Sequence, residues 1–204
     1  SVVGSTLAST IPTIVSDVAK SVDPNERRTE SIIDRFQLRI PGLRQSLEPR
    51  IDVLGQEVVR GGNVLETMAD PTRPSTEKET QIIEELRRLW DVGFKVSPTL
   101  LGDKAGYAAL TSEENTTLWK RAGEITNGKL TSLFNNSEYQ KMADDQKAKT
   151  VENVVDKSKI VARAEIVVEK TSGLFGDQLA SMLSDLKKSG LLTRDVFAKW
   201  EEIK

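Results

Sequence analysis

Ser184 and Lys187 stand three residues apart in Ser184-Asp185-Leu186-Lys187, the spacing at which penicillin-recognising acyl enzymes use a lysine to activate a serine nucleophile. The Ser-Asp-Asn and Lys-Thr-Gly elements that complete such a site are absent from the chain. A leucine-bearing helix with a basic end accounts for the same four residues, so the catalytic reading is set aside. Paired carboxylates at Glu84-Glu85, Glu113-Glu114, Asp144-Asp145 and Glu201-Glu202 are the next candidates, for acid/base work or a hard cation. Neighbours on a helix diverge by about 100°, and most of these acids read as first-turn or solvent-face residues. Gly61-Gly62 lacks the strand, the helix and the following Lys-Ser/Thr that a phosphate loop needs. Asn115-Thr116-Thr117 and Asn135-Asn136-Ser137 fit the glycosylation rule but read as caps and helix-surface residues.

The chain of 204 residues has no histidine and no cysteine. That removes imidazole bases, thiolate nucleophiles, disulfides and the commonest transition-metal ligands together. No catalytic, cofactor-binding or metal-binding residue is assigned, and the segment reads as non-enzymatic, whatever the parent chain carries elsewhere. With 29 basic and 31 acidic residues the net charge is -2, so no specific nucleic-acid binding is expected. No apolar run reaches the roughly 20 residues of a membrane span. No charged n-region precedes the mildly apolar start Val2 to Val22, which reads as that of a fragment or processed product.

Helical periodicity organises most of the rest. An amphipathic helix is expected within 5–22 and a second over Glu26 to Leu38, stopped by Pro41-Gly42. Thr76 and Glu79 stand in capping-box spacing ahead of Ile82, Leu86 and Leu89; Thr111 and Glu114 repeat it ahead of Leu118, Trp119 and Ala122. Between these two helices, 93–109 reads as an anchored connection. Ser137 caps a short turn before a valine-rich helix over Asp144 to Lys170; Gly173 ends it, a leucine-rich helix runs to Gly190, and Thr193 caps the last one. The fold class is therefore mainly α, an irregular helical bundle in three parts: helices in 1–40, an extended Pro/Gly-rich arm over 41–74 with one small hairpin near Gly55-Gln56, and a helical domain over 75–204. Trp90 and Trp119 sit on apolar stripes and are assigned to the core.

Over thirty residues without long elements is unusual inside a domain, which marks the arm as a binding segment. Its candidate contact residues are Arg39, Pro41, Gly42, Leu43, Arg44, Leu47, Arg50, Ile51 and Val53. Arg35, Arg39, Arg44 and Arg50 have Asp34 and Glu48 nearby, a pattern of salt-bridged protein contact. The second candidate surface is the apolar face of the last helix, Val196, Phe197, Trp200 and Ile203.

Four pieces in order resemble the giant internal virion (ejection) and large polyvalent proteins of tailed phages. They are Ser9 to Pro24; Ile32 to Gly55, with Arg39-Ile40-Pro41-Gly42, Leu47-Glu48-Pro49-Arg50 and Asp52 to Gly55; Leu110 to Glu114; and Ser137-Glu138-Tyr139-Gln140 before the long helix. The chain departs from that pattern at Glu48, where the family has proline, and at Asn115, where it has an aromatic residue. The resemblance implies a structural module of a virion protein, ejected with the genome into the host envelope or cytoplasm and helping to form a trans-envelope conduit. Its implied partners are other virion or ejection proteins and further copies of itself. The competing expectation is a helical adaptor or regulatory domain that binds a host protein or an enzyme domain of the same polypeptide.

Overall fold

The computed structural model describes residues 23, 25–27, 29, 32–40, 42–58, 77–93 and 110–204, and these are mainly helical with no strand among them. The helix expected within 5–22, Pro41, the capping box at Thr76 and the connection over 94–109 lie outside the described residues. Two units are distinguished: one holds the described residues up to Arg50 together with Glu57 and Val58, the other holds Ile51–Gln56 and the described residues from Glu77 onward.

In the first unit, α1 spans only Ile32–Gln37, much less than the helix expected over Glu26 to Leu38. Residues before it are held in extended pairing instead: Arg27 bridges Pro49, the Arg50 amide donates to the Glu26 carbonyl at 2.9 Å, and the Glu26 amide donates to the Val58 carbonyl at 2.7 Å. Asp23 also turns the chain locally, its Oδ1 accepting from the Asn25 amide at 3.2 Å. Such long-range pairing overrides helical periodicity. A single 3-10 turn follows at Arg44–Ser46.

The second unit is a bundle built around two long antiparallel helices, α3 (Ser112–Phe134) and α5 (Asp144–Thr171), with α2 (Glu77–Asp91), the short α4 (Ser137–Lys141), α6 (Gly176–Lys188) and α7 (Arg194–Ile203) packed about them. The capping box at the start of α3 forms as its spacing requires. Thr111 Oγ1 accepts from the Glu114 amide at 3.2 Å, and Glu114 Oε2 accepts from the Thr111 amide at 2.7 Å. For α4 the cap is Asn136 rather than Ser137: its Oδ1 accepts from the Glu138 amide at 2.7 Å. Thr193 caps α7 as expected.

Helix α5 contains valines that a solitary helix would disfavour, and Val151, Val155 and Val167 are all fully buried, so packing supplies what propensity withholds. Buried hydroxyls in the long helices return their protons to the preceding turn, Thr126 to the Ala122 carbonyl at 2.8 Å and Ser158 to the Val154 carbonyl at 2.7 Å. The core has two clusters. One gathers Leu118, Trp119 and Ala122 of α3, Ala162, Ile166 and Val167 of α5, Leu186, Leu191, and Val196 and Trp200 of α7. The other gathers Ile82, Leu86 and Leu89 of α2 with Leu130, Tyr139 and Val151.

Trp90 corrects an expectation: it is 37% exposed. The inward stripe of α2 is Ile82, Leu86 and Leu89, and Trp90 is rotated about 100° from Leu89. Asn115 is a second correction, for it is buried rather than on the helix surface, and its Oδ1 accepts no hydrogen bond. A glycan on that side chain is incompatible with the folded bundle.

Candidate interaction surfaces

Of the arm, 59–74 lies outside the described residues, and the described part over 42–58 is largely occupied within the chain. Arg44, the most enclosed large side chain of its unit, donates to Asp23 Oδ2 at 3.2 Å and to the carbonyls of Asp23 at 3.1 Å and Asn25 at 2.6 Å. Arg27 completes the knot with bonds of 2.8 and 3.0 Å to the Asp23 carboxylate. The hydrogen bonds from Arg27 hold the Asp23 carboxyl below its ordinary value, with burial opposing and the charge of Arg44 assisting. Arg50 pairs with Glu26 at 2.8 Å. Leu47 is buried, Arg39 is half-buried, and Gly42 and Leu43 are exposed. Gly42 has φ 88°, a left-handed conformation that glycine adopts without steric cost.

In the helical unit, Ile51–Gln56 is a tight turn rather than a hairpin with strands. Asp52 Oδ1 accepts from the amides of Leu54 and Gln56, each at 2.9 Å, and the Asp52 amide donates to the Gln56 carbonyl at 2.8 Å. Ile51 enters the first core cluster; Val53 and Leu54 enter the second. The turn seats directly on the backbone of α3. A Cβ built on Gly123 would lie 1.8 Å from the Gly55 nitrogen, and one on Gly55 would lie 2.6 Å from the Lys120 carbonyl oxygen. Gly123 had no role in the sequence reading, although an isolated glycine inside an amphipathic helix is a signal of close backbone approach.

The last helix divides its apolar face. Val196 and Trp200 are buried, with the Trp200 indole donating to Thr171 Oγ1 at 3.3 Å, while Phe197 and Ile203 remain 38% and 39% exposed. The i, i+4 pair faces the core and Phe197 is turned off it. Phe197 closes one side of a groove of about 560 Å3 between α6 and α7. Its other walls are Ala180, Leu183, Ser184, Lys187, Leu192, Thr193 and Arg194. No carboxylate lines it, and neither Lys187 nor Arg194 is paired with one among the described residues. Ser184 and Lys187 thus share a wall, but in the C-terminal half of α6, where the helix presents the negative end of its dipole and disfavours an oxyanion.

Elsewhere, polar side chains clamp helices together. Tyr139 Oη donates to Glu85 Oε1 at 3.0 Å; Arg88 binds Glu85 at 2.8 and 2.9 Å and Asp144 at 2.7 Å. The Arg88 and Tyr139 hydrogen bonds hold Glu85 below the ordinary carboxylate range, and burial together with Glu85 pushes the Tyr139 phenol up. Burial alone would raise Glu114, but hydrogen bonds from Lys170 and Thr111 outweigh it and hold it low. These acids are spoken for by structure. Among the described residues no group of acidic side chains converges to hold a metal ion, and no helix is long and apolar enough to cross a membrane. No protein-family model, curated protein or solved structure matches this chain.

Proposed function

We propose that this chain is a helical assembly module that works through protein contacts, and that its setting is a phage virion protein ejected with the genome. The observation that carries the assembly reading is the groove between α6 and α7: an apolar wall with Phe197 left part-exposed, on a bundle in which Glu85, Glu114, Asp144 and Glu165 are engaged in contacts between helices. A surface of that kind recognises an apolar anchor on another protein. The virion setting rests on the resemblance of the segments Ile32 to Gly55, Leu110 to Glu114 and Ser137 to Gln140.

Mass spectrometry of purified particles of the source phage tests the setting, and sedimentation of the full chain with and without the other particle proteins tests the assembly role. The reading predicts peptides from this chain in mature particles and a heavier species in the mixture. A chain absent from particles that sediments alone in every mixture overturns it.

A further inference from the structure

We infer that the α6/α7 groove is a docking site for an acidic amphipathic helix of a partner protein, one presenting a large apolar side chain flanked by Asp or Glu. The inference rests on the assembly reading and adds the chemistry of the partner. Four walls of the groove are apolar (Ala180, Leu183, Leu192, Phe197), two carry hydroxyls (Ser184, Thr193) and two carry cations (Lys187, Arg194).

The placement of the cations favours an anionic guest. Lys187 lies in the last turn of α6, where a positive charge complements the helix dipole. Arg194 lies in the first turn of α7, the end where a positive charge is unfavourable, and it has no carboxylate partner among the described residues to offset that cost. Lys188, by contrast, pairs with Asp185 at 3.6 Å, and Lys199 with Glu202. Among the described residues, the cations within α6 and α7 that lack a carboxylate partner are thus the two that line the groove, on a chain whose net charge is -2.

The volume of about 560 Å3 lies within the range that encloses a small ligand or a few side chains. A helix laid in the groove would bury its apolar anchor against Phe197 and Leu183 and bring carboxylates to Lys187 and Arg194. This is the helix-in-groove mode with charge supplying register.

Fluorescence anisotropy of two labelled synthetic helices against the full chain tests this, one with Leu at i and i+4 flanked by Glu, the other with Lys in place of Glu. The acidic helix should bind and the basic twin should not. Added salt should weaken the complex, and R194E or K187E should each weaken it about tenfold. Phe197→Asp, at a part-exposed position, should abolish binding while leaving the thermal transition in place. Equal binding of the two helices, or full affinity in R194E and K187E, overturns the docking site. Loss of the peptide result with assembly intact removes this inference alone; peptide binding by a chain that assembles with nothing removes the assembly reading.

Discussion

The segment over 42–58 and the last helix both carry apolar and basic residues that look like contact surface, yet they use them differently. In the first, Arg44, Leu47, Ile51, Val53 and Leu54 are buried, each satisfied within its own unit. In the second, Val196 and Trp200 are buried while Phe197 and Ile203 keep more than a third of their surface. An irregular segment must satisfy its backbone groups and side chains somewhere, and burying them against regular structure is the cheapest solution. The last helix satisfies its backbone through its own i to i+4 bonds and the Thr193 cap, and needs only one stripe in the core, which leaves the adjoining stripe for other uses.

The sharpest way to break this comparison is at Gly123. Gly123→Leu puts side-chain atoms where the Gly55 backbone lies, so the turn over Ile51–Gln56 must leave α3 and take Ile51, Val53 and Leu54 out of the two clusters. The expected loss is roughly 3 kcal/mol or more, toward the upper end for overpacking because the obstacle is backbone. Urea unfolding of the full chain measures it. A loss within about 0.5 kcal/mol, the scatter of surface substitutions, would mean that the turn is not seated on α3.

Arg44→Met is next. It leaves the Asp23 carboxylate buried with Arg27 as its remaining cation and strips the Asp23 and Asn25 carbonyls of their donor. Removing one member of a buried ion pair costs about 3–5 kcal/mol; Arg27 keeps this case near 3 or below. Hydrogen exchange at the Arg50 and Val58 amides, which pair in the same unit, reads the effect locally. Protection should fall there, whereas amides of α3 should keep theirs if the second unit holds independently.

These two sites show where the sequence is readable and where it is not. The capping box of Thr111 and Glu114 was legible because four neighbouring residues determine it, and the helices over 112–134, 144–171 and 194–203 followed from their apolar period. The partners of Arg44 and Arg50 were not: Asp34 and Glu48 are near in sequence, but Asp23 and Glu26 are near in space. Long-range pairing also shortened α1 to Ile32–Gln37, where the local pattern alone favoured a longer helix. The groove beside Phe197 depends on the packing of α6 on α7, which no local period encodes.

Acid should act more gently than Arg44→Met and on both units. Glu85 and Glu114 are held below their ordinary value of 4.5, and Asp23 below 3.8. A carboxyl depressed in the folded state contributes fully above its unfolded value, and the contribution is lost as pH falls through the folded one. Thermal unfolding should therefore hardly change down to pH about 5 and drop steadily below about 4. Glu85→Gln should flatten that acid limb while losing the charge-assisted bonds to Arg88. An acid limb as steep as that of the parent chain would show that the clamp with Tyr139 and Arg88 contributes nothing to it.

Gly128 provides the smallest and opposite effect. It lies on α3 five residues beyond Gly123, and a Cβ built there meets nothing within 4 Å. Alanine at an exposed helical position is favoured over glycine by roughly 1 kcal/mol, largely through the unfolded chain's loss of freedom. Gly128→Ala should raise the urea midpoint with an unchanged slope, while the same substitution at Gly123 should lower it. The two glycines have the same intrinsic helix propensity, so a difference in sign between them measures the seat of the 51–56 turn. If both alanines stabilise, the close approach of Gly55 to α3 is wrong, and Gly123 is an ordinary helix-interior glycine.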